Sequence, residues 1–517
     1  MVQLCIQMIK ILKMKKIITI LALTGISSIL FAQGKIFGYM EPGEYKVGLQ
    51  IVKTYDNGRT FGPQSADDEE WRNNARPMQI LVWYPATGEG NPLSYQDYIL
   101  TGFSEVDFTP LSDEMKERFI GMHKNAFIRN GADSARIASM LNRKSFAVPN
   151  LKATEGNFPL VVYSPGGNER CYENFILAEY LASHGYIVAS IALTGDDSQL
   201  MKFEPAEYEN SVDDILFVIS FMQNFPNVNR SRMGLVGFCW GSMVNVMVAN
   251  RNANVDVLVD LFGANNDKAT REKIETYRYS RLKNPTLAYM QLAGSPEERD
   301  NYFLENYLYG GCFQVRYENI SHNAFTSNYV SRYHYYKDKL PGNHTEQYTD
   351  TIDNCYKNTC KYTLGMLNAY LKKDEKAKQN LMKMMNSEMN GEKHLVQNAM
   401  PLPLNSAEFM KVVKEQGVNE AIRIYNEVRS KDKSWRLFQE NAMINYGYTL
   451  IAQKNIDDAI ELFNLVLNDF PDSWNVYDSL GEAWFMKGDK EKARKYLEKS
   501  VELLPANTHA KEILHKL

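Results

Sequence analysis

The sequence predicts an α/β fold, a mostly parallel sheet with helices on both faces, followed by an all-α domain of helical repeats. Three observations carry this expectation. From about residue 79 to 390, short apolar runs alternate with stretches of helical period. A G-x-C-x-G turn lies between one such run and one such stretch, at Gly237 to Gly241. Beyond Pro401 and Pro403 the strand signals stop and a period of 34 residues begins. The length, 517 residues, suits two or three domains.

Composition narrows the function. Lysine and arginine number 58 against 62 aspartate and glutamate, a formal net charge of −4. So even a balance, with no basic patch, excludes a nucleic-acid binder held by a positive face. The hydrophobic fraction, 44%, excludes wholesale disorder.

The chain opens on a targeting segment. Lys15-Lys16 follow Met14, taken as the working start, and precede the apolar run Ile17 to Phe31 and then Ala32-Gln33. A basic start, an apolar core and a small residue before a polar one describe a secretory signal, residues 1–32, cleaved after Ala32. The run of about 15 residues is shorter than the roughly 20 of a spanning helix, so no stable membrane anchor is expected. The mature protein is expected outside the cytoplasm, secreted or periplasmic. Without Cys5, the cysteines are Cys171, Cys239, Cys312, Cys355 and Cys360. The count is odd, which leaves at least one thiol free or paired between molecules.

Residues 33–398 read as the α/β domain. Strand signals begin at Gln79 to Tyr84 and continue at 160–163, 187–191, 233–236, 255–261, 286–290 and 313–317. Helical stretches lie between them, such as Tyr172 to His184 and Val212 to Met222. Residues 95–150 interrupt the rhythm and are expected to form a cap over one end of the sheet. Residues 353–371, which carry Cys355 and Cys360, are expected to be helical; those thiols could pair with each other or with Cys171 and Cys312. A helical tail is expected to run up to the prolines, and 399–405 serve as linker.

After the linker, Gly447 and Gly481, Ala459 and Ala493, Phe463 and Leu497, and Pro471 and Pro505 each stand 34 residues apart. Small residues where helices cross and proline after the second helix resemble the tetratricopeptide repeat, over 441–517. Residues 406–440 look like a degraded earlier copy. Such arrays present a surface to proteins or peptides, so a partner of that kind is expected here.

The chemistry centres on Gly237-Phe238-Cys239-Trp240-Gly241. In a strand–turn–helix elbow the turn is so tight that side chains at 237 and 241 would collide, and the central residue stands exposed as a nucleophile. A base must follow, and His322 comes shortly after the last strand signal. His184 fits a helix C-terminus instead; His334 and His344 fall in tyrosine-rich surface sequence, and His394, His509 and His515 near or in the second domain. For the acid, Asp260 ends an apolar run, where an aspartate is costly without a partner. Glu297, Glu298 and Asp300 offer a later alternative, and Asp267 another. Asp67 to Glu70 read as a solvated loop.

From about 79 to 390 the chain resembles an α/β-hydrolase. Gly234-Leu235-Val236-Gly237-Phe238-Cys239-Trp240-Gly241 resembles the elbow of dienelactone hydrolases, which use a cysteine nucleophile. Outside it, Phe158 to Gly167 and Leu181 to Ala189 are similar to the plasma-type platelet-activating-factor acetylhydrolases, which use serine. The resemblance implies a Cys239, His322, Asp260 triad, with the acid at Asp260 in the acetylhydrolase pattern and near Glu297 in the other. It places oxyanion-hole N–H groups at Gly167 and Trp240. The expected activity is hydrolysis of a small-molecule ester, lactone or thioester through a thioester acyl-enzyme. Rivals are an acyltransferase using the same triad and an inactive hydrolase fold serving as an interaction protein. No Walker loop, HExxH or paired CxxC occurs, so neither cofactor nor metal is expected.

Overall fold

A computed structural model describes residues 35–517 apart from 63–74, 130–132, 197–199, 203, 264–271, 273–283, 295–306, 337–345 and 388–391. The expected signal segment, Asp67 to Glu70, Asp267, Glu297, Glu298, Asp300 and His344 lie outside the described residues. The chain divides into two compact units, Met1–Met400 and Pro401–Leu517.

The first unit is built on an eleven-stranded sheet. Its strands are β1 (Lys46–Thr60), β2 (Ala75–Thr87), β3 (Ala147–Pro149), β4 (Lys152–Ala153), β5 (Phe158–Ser164), β6 (Ile187–Ser190), β7 (Val228–Phe238), β8 (Val255–Leu261), β9 (Ala288–Gly294), β10 (Cys312–Tyr317) and β11 (Glu392–Gln397). They lie in the order β11-β10-β9-β8-β7-β5-β6-β2-β1-β3, with β4 beside β2. From β6 through β10 neighbours pair parallel. At the flanks β2 runs antiparallel to β6 and to β1, and β11 antiparallel to β10. Every residue of β5, β6 and β9 is buried, as a parallel strand covered on both faces requires. One face packs around Phe175, Val161, Val236 and Met290, the other around Leu160, Val162, Leu235 and Val244.

Helices α1 (Tyr95–Thr101), α2 (Asp113–Arg129) and α3 (Ser134–Leu141) fill the insertion between β2 and β3. The helices between and after the central strands are α4 (Phe175–Ser183), α5 (Pro205–Met222), α6 (Trp240–Ala249), α7 (Ser327–Tyr336), α8 (Glu346–Met366) and α9 (Glu375–Met385). Tyr95 and Arg332 join α1 to α7: the Tyr95 hydroxyl donates to Asn328 Oδ1 at 3.3 Å and accepts from Arg332 Nε at 3.0 Å.

Four strands lie outside the sequence expectations: the short β3 and β4, and the longer β1 and β11. Strands begin with β1, ahead of Gln79. Only Val47 to Leu49 are buried there, and the outer half alternates between exposed and half-buried side chains, so it carries no continuous apolar run. The tail before the prolines contains β11 rather than helix. Its pattern, half-buried against exposed, fits an edge strand held by the β10 backbone. The helix expected over 353–371 forms, and its last turn, Leu367–Leu371, widens to a π-helix. No disulfide joins any of the five described cysteines.

In the second unit α10 (Ser406–Glu415) and α11 (Val418–Lys431) form one helix pair. Further pairs are α12 (Glu440–Ala452) with α13 (Ile456–Asp469) and α14 (Trp474–Lys487) with α15 (Lys490–Leu503); α16 (Thr508–Leu514) ends the chain. The repeated positions explain one another. A methyl group at Gly447 would overlap the Phe463 ring, and one at Gly481 would meet Leu497 Cγ at 2.5 Å. Each glycine therefore makes room for the large residue of its own second helix. Because this unit has its own core, from Phe409 to Ala483, a chain ending at Met400 is expected to fold without it. A cooperative melt of the truncated chain by circular dichroism would agree; loss of the transition would not.

Candidate active site

β7 ends at Phe238 and α6 begins at Trp240, so a single residue, Cys239, makes the turn. Its backbone sits at φ 52° and ψ −113°, a conformation that costs a non-glycine residue on the order of 1–3 kcal/mol. Local bonds hold it there. Cys239 N–H donates to Leu261 O at 3.2 Å, Ser242 N–H donates to Cys239 O at 3.2 Å, and Ser242 Oγ donates to Gly237 O at 2.5 Å. A methyl at Gly237 would stand 2.6 Å from both Ser242 N and Asn245 Nδ2. One at Gly241 would overlap the Ser164 carbonyl oxygen at the end of β5. Both glycines are thus required by close approach.

The five thiols are not equivalent. Cys239 is partly exposed, whereas Cys171, Cys312, Cys355 and Cys360 are buried. Burial pushes the Cys171 and Cys355 thiols well above the usual range, raises Cys312, and takes Cys360 up to about 12. Thiolate is the nucleophilic form, so these four are inert at neutral pH.

The groups expected to hold an oxyanion flank the turn. Trp240 opens α6, where backbone N–H groups have no intrahelical acceptor. Its indole stacks on Tyr208 at 3.6 Å, and Nε1 donates to Ser211 Oγ at 3.3 Å. Ser164 pairs with Gly237 in the sheet, so the loop Pro165 to Asn168 leaves β5 beside the elbow. Gly167 lies between two anchored residues. Gly166 N–H donates to Glu173 Oε2 at 3.1 Å. Asn168, at φ 65°, accepts from Met201 N–H at 2.6 Å and donates to Met201 O at 3.4 Å.

Asp260 stands opposite Gly237 on the neighbouring strand and is 2% exposed. Its carboxylate accepts from Gly263 N–H at 2.5 Å, Tyr289 OH at 2.9 Å and Gln291 Nε2 at 3.3 Å. Three donors satisfy a buried charge that would otherwise be prohibitive. The bond to Gly263 closes a turn that puts Phe262 at φ 54°, an outlier for an aromatic residue.

His322 opens the short 3₁₀-helix His322–Phe325 after β10. Its imidazole is 4.6 Å from the Phe238 ring, tilted by 41°, and 4.9 Å from the Phe262 ring, at 89°. Phe238 precedes the nucleophile position and Phe262 follows Asp260 by two residues. Nδ1 lies 3.2 Å from Asn323 Oδ1. Cys239 and Trp240 follow β7, Gly167 follows β5, Asp260 stands near the carboxyl end of β8 and His322 follows β10. The Phe238 and Phe262 rings link the His322 imidazole to the ends of β7 and β8.

Other histidines have local partners. His184 is the C-cap of α4, with Nδ1 2.8 Å from Tyr180 O. His394 lies 2.8 Å from Glu392 Oε2, and His509, in the repeats, 2.8 Å from Asp478 Oδ2. Among the described residues no group of three or more His, Cys, Asp or Glu could hold a metal ion. Among them, too, no helix is long and apolar enough to cross a membrane.

Sequence reasoning passed over Glu173 and the two phenylalanines around His322. Gly263, three residues after Asp260, was a usable turn signal, though it did not show Phe262 against His322; nothing near Glu173 distinguished it from a surface glutamate.

Residues 167–294 match the model of the dienelactone hydrolase family, and residues 441–473 match a tetratricopeptide repeat. No curated protein matches the chain. Among solved structures, a ferulic acid esterase from Streptomyces cinnamoneus aligns with a TM-score of 0.48 at 17% identity, over 70% of this chain and 100% of that one. The chain carries an α/β-hydrolase fold followed by tetratricopeptide repeats, and the family match over the elbow supports a hydrolase of esters.

Proposed function

We propose that the protein is an exported carboxylic ester hydrolase that works through a thioester on Cys239, with a small ester, lactone or thioester as substrate. The carrying observation is the backbone of Cys239, held at φ 52° between two glycines that tolerate no side chain. Strain of that kind, at the tip of a strand with a partly exposed thiol, marks a nucleophile elbow.

In this reading His322 takes the Cys239 proton as Sγ attacks the substrate carbonyl carbon. The carbonyl electron pair moves to oxygen, and the Gly167 and Trp240 N–H groups stabilise the oxyanion. Collapse expels the alcohol, which receives the proton from His322, and leaves the acyl group on sulfur. Water then attacks the thioester and gives a proton to His322; the acid departs and Cys239 recovers its hydrogen. Asp260 orients the imidazole and stabilises its charged form. The Phe238 and Phe262 rings pack against that imidazole and help to hold it in place. Esters fit this chemistry better than amides, whose leaving group is far harder to expel. The repeats are a surface for a protein or peptide partner.

The run Ile17 to Phe31 behind Lys15-Lys16 supports export. An oxidising compartment threatens an exposed thiol, but the other four cysteines are buried and no second sulfur is bonded to Cys239. Iodoacetamide applied to native protein is therefore expected to label Cys239 alone, and pre-incubation with a slowly hydrolysed ester to block that labelling. Unchanged labelling in the presence of the ester would count against acylation at this sulfur.

A further inference from the structure

Behind the site runs a buried chain of hydrogen bonds that the mechanism above does not use. Glu173 and Asn174, adjacent in sequence and 1% and 2% exposed, lie just ahead of α4. The Glu173 carboxyl accepts from Gly166 N–H at 3.1 Å and from Tyr163 OH at 2.8 Å. Asn174 continues the chain: Nδ2 donates to Tyr163 OH at 3.3 Å and to Phe325 O at 3.0 Å. Asn174 Oδ1 accepts from Ser327 N–H at 3.1 Å, Ser327 Oγ at 2.8 Å and Tyr356 OH at 2.8 Å. Asn328 N–H donates to the Glu173 carbonyl at 3.1 Å. One end of the chain is the loop that holds Gly167. The other is the C-terminal end of the 3₁₀-helix that carries His322.

We infer that Glu173 is a positioning residue, which fixes the Gly166 peptide so that the next N–H, on Gly167, faces the reacting carbonyl, and which with Asn174 ties that loop to the histidine loop. This inference rests on the reading of Cys239 as nucleophile. Its logic is geometric: anchoring one peptide of a short loop sets the direction of its neighbour, and supporting bonds of this kind hold catalytic groups in place. The chemical state of Glu173 agrees. Burial, and then the nearby Glu169, push its carboxyl well above the usual range, against the bonds from Tyr163 and Gly166. A protonated carboxyl accepts the Gly166 bond without setting a negative charge beside a forming oxyanion. It also has the one-acceptor, one-donor character of a glutamine side chain.

The test compares Glu173→Ala, Glu173→Gln and Cys239→Ala on p-nitrophenyl acetate, with kcat and KM determined separately and folding checked by thermal melt. Glu173→Ala is expected to lower kcat about 10- to 100-fold with KM within about threefold, as for loss of support to one oxyanion donor. Glu173→Gln is expected to recover kcat to within about threefold of the parent. If Glu173→Ala does not fold, Tyr163→Phe removes one bond to the same carboxyl and is expected to lower kcat about 3- to 10-fold at constant KM. A parental kcat in folded Glu173→Ala, or in Tyr163→Phe, overturns the inference, as does a folded Glu173→Gln as slow as the alanine variant. An active Cys239→Ala would instead overturn the underlying reading of the nucleophile.

Discussion

Cys239→Ala is expected to abolish ester hydrolysis, lowering kcat by about 10⁵ or more, the scale on which removal of a covalent nucleophile acts. The thermal midpoint is expected to move little. The side chain is small and partly exposed, and the turn is held by the bonds of Leu261, Ser242 and Gly237, all of which involve backbone at 239 or lie outside it. Steady-state rates with p-nitrophenyl acetate beside a melt of the same sample would check both halves. Cys239→Ser is expected to keep a fraction of the activity. The hydroxyl occupies the same elbow, but its proton is far harder to remove than that of a thiol of ordinary pKa about 8.5.

The second large effect is expected at Asp260. An isosteric amide in Asp260→Asn removes the negative charge that favours the imidazolium, and kcat is expected to fall about 10²- to 10⁴-fold. Here stability is expected to fall as well. The carboxylate satisfies three donors, from Gly263, Tyr289 and Gln291, and an asparagine must turn its amino group toward at least one of them. A buried donor left facing another donor costs about 1–3 kcal/mol. Kinetics run well below the variant's own melting temperature separate the two effects. A folded Asp260→Asn with parental kcat would remove Asp260 from the acid role and turn attention to Glu297, Glu298 and Asp300.

The parts of this molecule legible in its sequence are those whose cause is local. The central strands announce themselves because both faces are covered, so runs such as Leu160 to Val162 are continuously apolar. The elbow is legible because Gly237 and Gly241 are demanded by contacts within a few residues and across one strand pair. The repeats are legible because each glycine answers to a large residue one helix later. β1 and β11 were not, since both are partly solvent-facing and lack the continuous apolar run of the central strands. Glu173 was not, since its significance arises from Gly166 and Tyr163 on another element, and from a neighbour, Asn174, bonded to Phe325 and Ser327 about 150 residues away. Phe262 was hidden for a different reason: only the folded turn shows it at positive φ against His322.

A thioester between substrate and Cys239 is directly observable by intact-mass measurement. Protein mixed with p-nitrophenyl acetate and quenched in acid within the first turnover should gain the mass of one acetyl group. Peptide mapping should place it on the segment containing Cys239, and the gain should be absent from Cys239→Ala. An acetyl group found on another residue, or rapid turnover in which neither burst nor adduct forms, would contradict covalent catalysis at Cys239.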